Sequence, residues 1–117
     1  MTRPASLNDV LSACGSLLGA ERMNAALGTD RTYPVVRVRQ AMCWALRHCP
    51  HREPSLSEIT QAIGRTSHST VLTCVDRFST LDVRERWRSL VRSEVDGVAL
   101  SRSQIQSVIE EIEKGHP

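Results

Sequence analysis

The chain has 117 residues and a mass of 13.0 kDa, with 40% apolar and 24% charged residues, the make-up of one ordinary globular domain rather than a disordered chain. Aromatic residues are only 3%, so the core must be mainly Leu, Val, Ile, Ala and Met, and the stacking platforms that bind single strands or RNA are argued against. The net charge is +2 and Lys114 is the only lysine, so the cations are almost all arginines, whose rigid fork of donors suits phosphates and guanine edges.

Ser6-Leu7-Asn8-Asp9 predicts a helix start, with Ser6 as N-cap and Asp9 as its capping-box partner. Leu7, Val10, Leu11, Cys14, Leu17 and Leu18 then recur at spacings of three and four up to Gly19, an ordinary core face before any partner-binding stripe. A short second helix is predicted over 20–27, stopped by Gly28. Pro34 fits an N1 position, and 35–48 carries apolar residues at 35, 38, 42, 45 and 46 before Pro50 forbids continuation, which makes it the central helix. Arg31, Arg37, Arg39 and Arg47 fall in this region with no acid between them, so the basic patch is local. Residues 48–54 form a loop.

Ser55-Leu56-Ser57-Glu58 begins a helix of about two turns with Leu56, Ile59 and Ile63 inward, closed by Gly64. Thr66 or Ser67 can cap the next helix, whose apolar positions are Val71, Leu72, Cys74, Val75, Phe78 and Leu81. A further helix over 83–95 turns Trp87, Leu90 and Val91 inward. Asp96-Gly97 is a turn signal, and Ser101 with Gln104 starts a last helix through Val108, Ile109 and Ile112. The Asp96-Gly97 pair could instead join two short strands, 93–95 and 98–100. The expected fold is all-α, a compact helical domain with a short hairpin near 93–100 as the alternative there.

A short helix, a glycine-containing turn and a longer capped helix make a helix-turn-helix. In that motif the start of the second helix reaches base edges in the major groove. Here that start reads Gly64-Arg65-Thr66-Ser67-His68-Ser69-Thr70-Val71. One hydroxyl suffices for a cap, and a surface helix start rich in caps is the plain explanation. Thr66, Ser67, Ser69 and Thr70 supply four, and His68 can donate or accept, an excess that suits phosphates and base edges.

An enzyme is not expected. No Gly-x-Ser-x-Gly elbow accompanies the Ser-His pairs, and no phosphate-binding Gly-x-x-x-x-Gly-Lys loop is present, so neither cofactor nor nucleotide is implied. Cys14, Cys43, Cys49 and Cys74 form no Cys-x-x-Cys pair and read as reduced core residues. Cys43, His48, Cys49 and His51 match no common zinc spacing. No signal segment opens the chain and no apolar run spans a membrane, so a cytoplasmic, nucleoid-associated protein is expected.

The pieces RVRQAM (Arg37 to Met42), SLSEITQAIG (Ser55 to Gly64) and RTSHSTV (Arg65 to Val71) resemble, in order and spacing, the C-terminal DNA-binding domain of the bacterial replication initiator DnaA. That family carries an arginine-led helix, a Ser-Leu-x-Glu-Ile-Gly segment and then Gly-Gly-Arg-Asp-His-Thr-Thr-Val. About two extra residues fall in the loop near Pro50. The resemblance runs from Leu7 to about Val95, giving a helix-turn-helix domain over 1–95 and a helical extension over 96–117 packed on it. It implies duplex DNA recognition, with His68 and Ser69 on bases, Thr70 on the backbone and Arg31 in the minor groove. The family's Arg-Asp pair is replaced by Thr66-Ser67, which removes a carboxylate that can accept from cytosine and a phosphate-holding cation. Arg65 could restore the phosphate contact.

The expected function is therefore sequence-specific binding of double-stranded DNA, without the initiator's ATPase, by a regulatory or accessory factor of replication, a phage or a mobile element. The residues expected at the duplex are Arg31, Arg37, Arg39, Leu56, Ser57, Arg65, Thr66, Ser67, His68, Ser69, Thr70 and Arg77. The alternative is a protein-interaction module on the same scaffold that has lost DNA binding. A protein partner or a homodimer could use the N-terminal stripe or the last helix.

Overall fold

The computed structural model describes residues 5–29, 31–48, 54–64 and 67–114. Among them the chain forms seven helices and no strand. Helix α1 (Leu7–Leu18) begins at the expected capping box, in which the Asp9 N–H donates to Ser6 Oγ at 3.2 Å and the Ser6 N–H to Asp9 Oδ2 at 2.8 Å. It ends at Gly19, where φ is +85°, a conformation that costs an L side chain but not glycine. Helix α2 (Ala20–Leu27) leaves directly from that glycine.

Helix α3 (Tyr33–Arg47) starts one residue earlier than the proline suggests, so that Pro34 is its second residue, a place where a missing N–H still costs no helical bond. It packs against all six other helices, and every residue from Arg37 to Leu46 is buried. The other helices are clamped to it by particular side chains. Trp87, fully buried on α6 (Arg84–Val95), donates its indole N–H to the Ala41 carbonyl at 3.1 Å. Phe78, fully buried on α5 (His68–Ser79), lies against Trp44 with ring centroids 5.7 Å apart. On α4 (Leu56–Ala62) Ile59 is fully buried, and Arg47 donates to the Pro54 carbonyl at 2.6 Å, holding the entry to α4 against the end of α3.

Helix α7 (Arg102–Lys114) packs on α3 and buries Val108, Ile109 and Ile112, so the C-terminal extension shares the same core. Ion pairs from Arg22 to Glu113 (2.7 Å) and from Arg86 to Glu111 tie it to α2 and α6. Both pairs are partly exposed and each contributes at most about 1 kcal/mol, so the apolar contact with α3 holds the helix.

The hairpin alternative near 93–100 is overturned. Residues up to Val95 are helical, and the Asp96-Gly97 pair ends α6 instead of joining strands. Gly97 has φ +78°, its N–H donates to the Glu94 carbonyl at 3.2 Å, and the Val98 N–H donates to the Ser93 carbonyl at 2.7 Å. This pair of bonds is a Schellman cap, and the same Asp-Gly dipeptide serves it as well as a hairpin turn. Leu81, expected on α5, lies just past its end and is partly buried. No helix among the described residues is long and apolar enough to cross a membrane.

Two stability consequences follow. Trp87→Phe should lower unfolding free energy by about 1 to 3 kcal/mol, since it strands the packing volume of the indole and one buried hydrogen bond, as read by urea denaturation. Cys14 is wholly buried, and desolvation pushes its thiol from 9.0 up to about 12. Because the folded value is the higher one, its contribution is fully present below pH ~9 and is lost as pH rises toward ~12, at up to about 1.4 kcal/mol per unit. Cys14→Ala should flatten that alkaline decline relative to wild type, measured as the difference between urea midpoints at pH 8 and pH 10.

Candidate nucleic-acid interface

Where the helix-turn-helix is expected from sequence, α4 is followed by α5, with Ile63, Gly64 and Ser67 described between them. Its first helix opens on a second capping box, with the Glu58 N–H donating to Ser55 Oγ at 3.1 Å and the Ser55 N–H to Glu58 Oε1 at 3.4 Å. Gly64 closes it at φ +71°, its N–H donating to the Gln61 carbonyl at 3.2 Å. Thr60, buried in this helix, turns its hydroxyl onto the Leu56 carbonyl at 2.6 Å, so that hydroxyl is satisfied within its own helix.

The second helix is anchored through Val71, Cys74, Val75 and Phe78, its buried stripe, against α3. What faces outward is His68, Ser69, Thr70, Leu72, Thr73, Asp76 and Arg77. The start of α5 differs from the starts of α1 and α4. Ser67 is the N-cap but makes no side-chain cap bond. Its hydroxyl meets the Ser69 hydroxyl at 2.7 Å instead. No acid lies in the first turn of α5, so the partial positive charge of that end is not offset by its own helix. An outward helix terminus of this kind suits phosphate oxygens.

His68 is exposed but not loose. Its Nε2 lies 3.1 Å from Ser57 Oγ, a bond across the turn from the first helix to the second, with donor and acceptor set by the ring tautomer. Two residues named separately from sequence thus form one unit. Leu56, beside Ser57, is half-buried against the core.

The arginines divide. Arg31 is exposed just ahead of the α3 N-cap Thr32, and Arg77 is exposed in the last turn of α5. Arg37 and Arg39, expected at phosphates, point inward and are only 8% exposed. Arg39 donates from Nε to the Ala26 carbonyl at 2.8 Å and from Nη2 to the Gly28 carbonyl at 3.1 Å, satisfying the C-terminal end of α2. Arg37 donates to Gln40 Oε1 at 2.9 Å and to the Tyr33 hydroxyl, with its guanidinium 5.2 Å from the Tyr33 ring centroid. It also lines a cavity with Thr80, Leu81, Asp82 and Val83, beyond the far end of α5 and roughly 18 Å along that helix from His68. Both guanidinium groups are held within the fold, not at its surface. Arg65 and Thr66 lie outside the described residues, as do Cys49 and His51 of the considered metal cluster. Cys43 is buried and the His48 ring lies 4.5 Å from the Trp44 ring. No group of three or more His, Cys, Asp or Glu among the described residues could hold a metal ion.

Leu72, Thr73 and Asp76 share the exposed face of α5, although Leu72 counts among its apolar positions in the sequence. The signal was available. Positions 71, 74, 75 and 78 already complete an inner stripe, and at 100° per residue Leu72 lies about 110° from its middle. Arg39→Ala should destabilise the fold by about 2 to 4 kcal/mol by removing a buried cap of α2, whereas Arg31→Ala should change stability by less than about 0.5 kcal/mol, both measured by urea unfolding.

Compared with protein families, curated proteins and solved structures, the chain matches none.

Proposed function

We propose that this protein binds double-stranded DNA sequence-specifically, laying the start of α5 into the major groove in the manner of the DnaA DNA-binding domain that its sequence resembles. The observation that carries this reading is the side-chain-uncapped start of α5 with His68 bonded to Ser57 at 3.1 Å. Uncapped starts recur at α2, α3 and α6; at α5 the uncapped start also leads an exposed polar run, His68, Ser69 and Thr70. Here Ser69 and Thr70 are exposed and the hydroxyls of Ser67 and Ser69 meet at 2.7 Å, where bases and phosphates can compete for them.

His68 and Ser69 read base edges, and Thr70, Ser57 and the α5 terminus take phosphates. Arg77 adds a backbone contact and Arg31 reaches the minor groove beside α3. No chemistry is performed on the DNA, and the protein acts as a regulatory or accessory factor at the bacterial nucleoid. A protein-interaction role has one observation of its own, a groove of about 540 Å³ between α6 and α7 lined by Leu90, Leu100 and Val108.

Selection of bound duplexes from a random library at near-physiological salt tests the reading. One enriched motif is expected, and His68→Ala should cost about 1 to 3 kcal/mol at that motif with little change on unrelated duplexes. A folded protein that retains no duplex, or a His68→Ala loss equal on all sequences, would sink it.

A further inference from the structure

Leu72 is 46% exposed, one of three large apolar side chains so placed among the described residues, with Tyr33 and Val98. Tyr33 has a use within the fold, as the partner of the Arg37 guanidinium, and Val98 follows the cap of α6. Leu72 alone of the three lies on α5, four residues after His68 and three after Ser69. Helical side chains at these spacings share a face and lean toward the N-terminus. Its isobutyl group therefore covers the surface beside His68 and Ser69, at the end of the helix that enters the groove. From His68 to Leu72 the axis advances about 6 Å, less than two base steps of about 3.4 Å.

A leucine in that place has little choice of partner. It offers no hydrogen bond, so against a phosphate or a donor or acceptor edge it would strip water and return nothing. The major groove presents one apolar group among the four bases, the C5-methyl of thymine. We infer that Leu72 is a specificity-determining residue that packs on a thymine methyl within a base step or two of the base read by His68. The inference rests on the proposed duplex binding and narrows it, since it fixes the identity of one base in the site.

The test exchanges deoxyuridine for thymine, one position at a time, in the duplex recovered by selection. Wild-type protein should lose roughly fourfold in affinity at one thymine, the worth of burying one methyl-sized group. Leu72→Ala should bind thymine and uracil at that position about equally, and Leu72→Met should keep part of the preference. Because Leu72 is exposed, neither variant removes core packing, and circular dichroism checks the fold. The inference is overturned if no single uracil weakens wild-type binding, or if Leu72→Ala loses as much on methyl removal as wild type does. In either case a selected motif that still depends on His68 leaves the proposed function standing. If no duplex is selected at all, the proposed function falls and this inference with it.

Discussion

Helix α3 is surrounded by all six other helices, and that single constraint organises the molecule. A helix buried all round from residue 37 to 46 must bury its polar residues there too, and here that means Arg37, Arg39 and Gln40. An unpartnered guanidinium at such a depth would cost several kcal/mol. The fold instead gives Arg39 the two open carbonyls at the end of α2, so a residue that needs acceptors meets a helix end that needs donors. The same helix lends the Ala41 carbonyl to Trp87, which brings α6 into register with it.

The position of α5 follows from this centre. Phe78 lies against Trp44, and the buried stripe from Val71 to Phe78 faces α3, so the opposite face of the helix is committed to solvent. Arg47, on the last turn of α3, holds the entry of α4 through the Pro54 carbonyl, and α4 in turn holds His68 through Ser57. The exposed polar cluster is thus carried on rigid elements rather than on a loop, which keeps its geometry defined before any partner arrives.

How much of this was legible depended on whether a residue's environment is set locally. The capping boxes at Ser6 and Ser55, the closing glycines 19, 28 and 64, the inner stripe of α7 and, apart from Leu72 and Leu81, that of α5 depend on neighbours within one or two turns, and they could be read directly. Arg39 could not, because sequence shows a charge but not the carbonyls that wait for it 11 to 13 residues away, and Arg37 could not, because its burial comes from the helices packed around α3 although its partners Tyr33 and Gln40 are local. Four arginines without an acid looked like a surface patch, whereas two of them are interior donors. Asp96-Gly97 was ambiguous for a different reason, since one positive-φ glycine serves a Schellman cap and a hairpin alike and only the bonds to Ser93 and Glu94 decide between them. Of the site, His68, Ser69 and Thr70 were legible as exposed polar residues at a helix start. The bond from Ser57 to His68 was not, because it depends on how two helices pack across a turn.

The inward turn of Arg37 and Arg39 also bears on how a duplex would be held. The formal net charge is only +2, and two of the cations behind it face the interior, so the outer surface offers little general attraction to a polyanion. Non-specific binding is electrostatic and grows with the number of phosphates neutralised. A protein whose 15 cations are nearly balanced by 13 acids gains little from arbitrary sequences, and its affinity must come from contacts that form only at the right one. The exposed face of α5 is suited to that division: it carries three hydroxyls, an imidazole and a leucine beside one acid and one arginine. Bound in the proposed way, the protein would find its site with weak long-range attraction and distinguish it by short-range hydrogen bonds and one apolar contact. Discrimination between sequences would then exceed what its overall affinity suggests.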